Sequence, residues 1–199
     1  MNTRLWDTWN NGGGPQYPHA KVIQFCMRNY PPAVRSATRV LDLGCGSGVN
    51  TRFLAEQGFD CVATDISLVG LANTQALLAR HGLRASCAVA EISAQPFADA
   101  SFDCAITIGV LDSAGPAAAR KAVIELRRLL KLGGRAIFVF ASDADMRVGA
   151  ATAYGLYGYR YDEVVELTSG FAEVEIDRYI TTYDSGRRQH NDFLVTLTR

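Results

Sequence analysis

The sequence predicts an α/β fold, a doubly wound, mostly parallel seven-stranded sheet with helices on both faces and a C-terminal antiparallel hairpin. Three observations carry that expectation. Short continuous apolar runs alternate with stretches of helical period, as parallel strands covered on both faces alternate with their crossover helices. A glycine-rich loop stands directly behind the first such run, VLDLGCGSG at 40–48. The chain then closes on two stretches that alternate apolar and polar residues, 173–180 and 192–198, around a turn-rich segment at 184–188.

The elements follow in order. After a leader rich in Trp, Asn and Gly, the residues Ile23, Cys26, Met27 and Tyr30 recur at helical spacing until Pro31 and Pro32 stop the segment. Arg39 to Leu43 is the first strand, followed by the glycine loop and a helix from about Gly48 to Gln57 that ends at Gly58. Cys61 to Asp65 is the second strand, and Ser67 is placed to cap a helix that runs to His81 and Gly82, with His81 at its end. The third strand spans Ala85 to Ala90 and the fourth Phe102 to Ile108. Ala119, Ala122, Val123, Leu126 and Leu130 form the stripe of the next helix, and Gly133 and Gly134 introduce a fifth strand over Ala136 to Phe140. Residues 1–37 form a leader and helix that could act as a lid, and 38–199 form the one main domain.

Composition narrows the function. The 199 residues are most simply one domain, and 20 basic residues balance 20 acidic ones, so no field favours a polyanion. Nucleic acid is therefore not an expected partner. The apolar run from Ala136 to Ala141 is far shorter than the ~20 residues of a membrane helix, and the first residues lack a signal-like core. A soluble, cytoplasmic chain without membrane attachment is the expectation. Five scattered cysteines (Cys26, Cys45, Cys61, Cys87, Cys104) without a C-x-x-C pattern read as reduced packing residues, and no metal is expected.

The glycine loop decides what the site holds. In an open α/β sheet the first strand's loop lies where the strand order reverses, at the ligand crevice. A dinucleotide fingerprint spaces its glycines G-x-G-x-x-G, whereas here Gly44, Gly46 and Gly48 alternate and Asp42 stands two residues ahead. A carboxylate there repels a pyrophosphate and suits an ammonium. Asp65 ends the second strand 21 residues after Gly44, where it can accept from both ribose hydroxyls, as it also would in a nicotinamide-dependent oxidoreductase. Glu91 could accept from an adenine amino group while Ile92 packs on the ring. Ammonium, ribose and adenine thus meet three successive strand ends.

With these residues the chain resembles a class I S-adenosylmethionine-dependent methyltransferase of the small-molecule type. The likeness runs from 40–48 through Asp65-Ile66-Ser67, Glu91, Pro96-Phe97, Ser101-Phe102-Asp103 and 126–134, covering roughly residues 38–140. It implies S-adenosylmethionine as cofactor, S-adenosylhomocysteine as product, and a small-molecule methyl acceptor as partner. It also implies that Asp42, Gly44, Gly46 and Gly48 surround the methionine part, Asp65 and Ile66 the ribose, and Glu91 and Ile92 the adenine. Ile108 and Gly109 would flank the sulfonium. Leu132 replaces the usual Pro before Gly-Gly, and Leu111-Asp112 stands where relatives often carry His, so no base transfers from the family.

Topology then names the acceptor's surroundings. The loops at 109–116 and 141–161, the leader through His19, and the hairpin turn near 182–191 share the rim. Asp112 and His19 are the base candidates. Trp9, Tyr17, Arg147, Tyr157 and Arg187 are the substrate candidates, with Arg188 and His190 on the same rim. The Tyr154, Tyr157, Tyr159 and Tyr161 group reads as a pocket wall or as helix-packing aromatics, and 12–14 as a hinge. A homodimer, a non-catalytic nucleoside binder and the O, N or S acceptor atom all stay open at this level.

Overall fold

The computed structural model describes residues 3–12, 14–150 and 155–199. Eight helices and seven strands follow one another among them: α1 (Thr3–Asn11), α2 (Ala20–Asn29), α3 (Pro32–Arg35), β1 (Arg39–Leu43), α4 (Val49–Glu56), β2 (Asp60–Asp65), α5 (Leu68–Arg80), β3 (Ser86–Val89), β4 (Phe102–Ile108), α6 (Leu111–Ala114), α7 (Pro116–Leu129), β5 (Leu130–Ala141), α8 (Tyr161–Thr168), β6 (Glu173–Tyr183) and β7 (Arg188–Thr198). The sheet order is β3-β2-β1-β4-β5-β7-β6. β1 to β5 are parallel, and β7 runs antiparallel to both β5 and β6.

The continuous apolar runs have a direct cause. Val40, Cys104, Ile106 and Ile137 face one side, where they meet Val22, Phe25 and Cys26 of α2 and Phe53 and Leu54 of α4. Their neighbours Leu41, Leu43, Ala105 and Phe138 face the other, against Ala119, Val123, Leu126 and Leu129 of α7. Because both faces are covered, apolar residues fill successive positions of the central strands and the period of two is hidden. Cys26 sits in that packing, and burial pushes its thiol up to about 12, as expected of an inert core residue.

Several expectations need correction. The fifth strand begins at Leu130 rather than Ala136, because Gly133 and Gly134 sit in a bulge where the pairing steps from Phe102–Leu130 to Cys104–Arg135. Gly133 N–H still donates to the Arg199 carbonyl at 2.8 Å, so the bulge is held by the chain end. The leader contains a helix, α1, in which Leu5, Trp6 and Trp9 stand at helical spacing, a short stripe that the sequence reading passed over. Helix α8 also escaped; Glu163 accepts from the Arg160 N–H at its start, in a capping box without the usual Ser or Thr. Strand β3 lies at the sheet edge and is mostly exposed, so Cys87 is only half-buried. The caps at Ser67 and His81 lie where the sequence placed them. No helix among the described residues is long and apolar enough to cross a membrane.

Candidate active site

A crevice of about 420 Å³ opens over the carboxyl ends of β1, β2 and β4, where the strand order reverses. A larger groove of about 660 Å³ lies between α2 and the β6–β7 edge, over the start of β6 and the end of β7. The smaller one is the candidate site, because the loops that follow the parallel strands converge there. Gly44, Cys45, Gly46 and Ser47 form its floor, with Asp65, Ile66 and Ile92 on the β2–β3 side and Ile108, Gly109 and Val110 on the β4 side. Gly44 adopts φ +73°, and a Cβ there would stand 2.5 Å from a Val110 methyl. The loop is thereby wedged against the chain that leaves β4.

Asp65 organises the floor. Its Oδ2 accepts from Gly46 N–H at 2.8 Å and its Oδ1 from Ser67 N–H at 2.8 Å, so one carboxylate locks the glycine loop to the start of α5. Burial raises its pKa, and the backbone bonds from Ser67, Gly46 and Ile66 oppose the rise. Asp42 behaves differently. It is 2% exposed, lies beneath the loop, and accepts from the Thr51 hydroxyl at 2.6 Å. Burial pushes it up to about 7.

Helix α1 covers the crevice. Asp7 accepts from the Ser67 hydroxyl at 2.6 Å, and Ser47 donates to the Pro15 carbonyl at 3.1 Å, which fastens the helix and the turn after it across the opening. Trp6, Trp9 and Asn10 line the crevice from above, with Pro15, Tyr17 and His19 beside them. Tyr17 is 82% exposed and stands at the mouth.

At the far end the crevice is bounded by Asp112, Ser113, Ala114, Arg147 and Leu156. Asp112 is buried; its Oδ2 accepts from Ala141 N–H at 2.9 Å and its Oδ1 from Ser113 N–H at 3.0 Å. Burial pushes it up to about 6, with the Ala141 bond and the Arg147 charge pulling the other way. Arg147 donates from Nε and Nη2 to Asp145, each at 2.8 Å, and from Nη2 to Asp192 as well. His19 caps α2 with Nδ1, which accepts from Lys21 N–H at 3.3 Å, and its backbone N–H donates to Asn50 Oδ1. Burial, and after it the nearby Lys21 charge, lowers its pKa.

Raised carboxyls make stability depend on pH. Asp42 in the folded chain keeps its proton up to about pH 7, whereas the unfolded chain loses it near pH 4. The folded state therefore binds more protons across that window, and stability contributed by this group is lost as pH rises through it. Asp42→Asn is expected to unfold at higher urea than the parent at pH 8 and to differ little at pH 4. The displacement from 3.8 to about 7 bounds the gain at about 4 kcal/mol. Equal urea midpoints at pH 8 would show that Asp42 ionises freely.

Residues 40–134 match the family model of a methyltransferase domain. Over those residues the chain is a class I S-adenosylmethionine-dependent methyltransferase domain. No curated protein matches its sequence. Among solved structures, this methyltransferase is similar to an S-adenosylmethionine-dependent methyltransferase of Methanosarcina mazei, at 20% identity and a TM-score of 0.68 over 81% of this chain and 92% of that one. It is also similar to a structure describing the conversion of a disulfide bond into a thioacetal group during echinomycin biosynthesis, with 18% identity and a TM-score of 0.77 over 100% and 93%. A Haemonchus contortus phosphoethanolamine N-methyltransferase, bound to phosphomonomethylethanolamine and S-adenosylhomocysteine, superposes at 16% identity and a TM-score of 0.76 over 98% and 56%. At these identities the likeness is one of fold.

S-adenosylmethionine is the methyltransferase's cofactor, and the crevice suits it. A Cβ on Gly46 would still lie 3.5 Å from Trp9, so the loop backbone is open to a close approach. Ile66 and Ile92 supply apolar surface beside the Asp65 carboxylate. Of the residues expected from sequence, Gly44, Gly46, Asp65, Ile66, Ile92, Ile108, Gly109, Trp9, Tyr17, His19, Asp112 and Arg147 all line the methyltransferase's crevice. The structure does not bring Asp42, Gly48, Glu91, Tyr157 or Arg187 into the lining. Gly48 packs on Thr74. Tyr157 donates to Glu163 at 2.6 Å and stacks edge-on to Tyr159, which makes these two helix-packing aromatics. Arg187 ends the exposed turn between β6 and β7. Tyr154 and Gly13 lie outside the described residues. Trp6, Asn10, Ser113 and Leu156 lie in the expected rim segments but were not singled out there, and Asn50 was missed altogether. For Asn10 the only available signal was its place one turn from Trp6.

Proposed function

We propose that the enzyme methylates a small, largely apolar acceptor at a soft nucleophilic atom such as a thiol sulfur, with residues 1–37 acting as the lid over the reacting pair. The observation that carries this reading is the roof. With α1 fastened by Asp7 and Ser67 across the crevice, the space left beside Ile108 and Gly109 suits a small molecule better than a polymer. The walls there are Trp9, Tyr17, Val110 and Leu156, and Arg147 is already matched by two carboxylates, so it offers little to an anionic acceptor.

The donor, when bound, supplies a methyl carbon already activated by an adjacent sulfonium. The protein's part is alignment and exclusion of water. Asp65, the glycine loop, Ile66 and Ile92 would hold the nucleoside, while Ile108 and Gly109 border the reacting end. Neither base candidate is well presented: the His19 Nδ1 is engaged by Lys21 N–H, and both Asp112 oxygens accept backbone N–H groups. An acceptor that loses its proton readily needs no protein base, whereas an alcohol without one forfeits roughly 10²–10⁴ in rate. A panel of matched thiols, amines, alcohols and carboxylates, assayed with methyl-labelled donor, tests this. Thiols should lead alcohols by about that factor. Fast turnover of an alcohol with a bell-shaped pH profile would replace this reading with base-assisted O-methylation.

A further inference from the structure

Asn10 lines the crevice with a polar atom that the fold leaves unmatched. It is 2% exposed, and among the described residues no donor reaches its Oδ1. The amide is not free to turn, because Nδ2 donates to the Trp6 carbonyl at 3.0 Å one turn earlier. That bond leaves Oδ1 as the group facing away from the helix. The surroundings are close: a Cβ on Gly70 would meet Asn10 Nδ2 at 2.9 Å, and one on Gly46 would lie 3.7 Å from Oδ1. The oxygen thus sits over the glycine loop, buried and without a donor. Burying a carbonyl-type acceptor without a donor is costly, and a ligand that enters the crevice with an N–H group supplies the missing donor.

The amino-acid end of the donor needs such a partner. Its ammonium cannot meet Asp42 directly, since that carboxylate lies under the loop and outside the crevice lining. The Asp65 carboxylate, held by Gly46 N–H and Ser67 N–H, is the one assigned to the ribose. We propose that Asn10 Oδ1 accepts a hydrogen bond from the α-ammonium of the bound donor, so that the covering helix itself reads the amino-acid end and closes more firmly when that end is present. The proposal rests on the crevice being the S-adenosylmethionine site.

Two ligands separate the possibilities by calorimetric titration. S-adenosylhomocysteine carries the amino-acid end, and 5′-methylthioadenosine keeps the nucleoside and sulfur without it. Asn10→Ala should weaken S-adenosylhomocysteine about tenfold or more, as expected for a bond to a charged group, and leave methylthioadenosine unchanged. The ratio of the two affinities is taken on one protein sample, so it is insensitive to a partly misfolded fraction. Asn10→Asp, which keeps an oxygen at the position, should retain the preference for S-adenosylhomocysteine. Amide hydrogen exchange adds a second readout: S-adenosylhomocysteine should protect residues 3–11 of the parent more than methylthioadenosine does, and Asn10→Ala should erase the difference. Equal loss of both ligands would overturn the proposal, since Asn10 would then serve the ribose or only prop the helix. Unchanged binding of both would overturn it as well. A parent protein that binds neither ligand would instead defeat the crevice assignment itself.

Discussion

Replacing Gly48 by alanine should destabilise the protein by about 2–5 kcal/mol, read as a lower urea midpoint; two costs add, the first being a left-handed conformation that costs an L-residue roughly 1–2 kcal/mol. Gly48 holds that conformation at the N-cap of α4, with φ +79°. Its Cβ would also stand 2.6 Å from Thr74 Oγ1 and 2.8 Å from Thr74 Cα. The second contact is with backbone, so relief requires α4 and α5 to part, and overpacking of this kind costs roughly 1–3 kcal/mol. Gly58→Ala provides the comparison. That glycine has φ +85° and nothing within 4 Å of the methyl group that alanine would add, so only the conformational cost of about 1–2 kcal/mol applies. If the two variants melt alike, close packing of the third glycine against α5 is not what holds the loop.

Asp65→Ala should lower affinity for S-adenosylhomocysteine by about 1–3 kcal/mol, roughly a 5- to 150-fold loss by titration. In the proposed binding mode the carboxylate accepts from ribose hydroxyls, and it also holds Gly46 N–H and Ser67 N–H. Truncation therefore unpairs ligand and loop together. Asp65→Asn separates the two effects in part. The amide can still accept through one oxygen, but its NH₂ group would face a backbone donor, so this variant should also bind weakly while keeping its bulk. An unaltered dissociation constant for Asp65→Ala would mean that the ribose is held elsewhere.

Much of this fold was legible because local and long-range demands agree. The central strands are covered on both faces, so their apolar runs stand out, and the glycine loop follows from the turn that must leave β1. Ser67 was readable as a cap because its hydroxyl does what a cap does, accepting from Gly70 N–H at 3.0 Å. Other features depend on partners distant in the chain. Helix α1 carries only a short stripe, Leu5, Trp6 and Trp9, and it is fastened through Asp7 to a serine 60 residues away. Asp42 shows a signal that sequence reasoning passed over. Leu41 and Leu43 face α7, so the residue between them must point to the opposite side, toward α4, and there it meets Thr51. Glu91 was read as a strand-end carboxylate like Asp65, but β3 is a short edge strand that stops at Val89, and the chain has turned into an isolated bridge with Ala94 before the crevice is reached.

The chain contains two tryptophans, and both belong to the covering helix, their rings 6.5 Å apart and edge-on above the crevice. Intrinsic indole emission from this protein therefore originates wholly from the roof. An adenine ring arriving beneath it should quench or shift that emission, while the eight tyrosines stay silent under excitation at the red edge. Filling and emptying of the cavity can thus be followed optically, in real time and without a label.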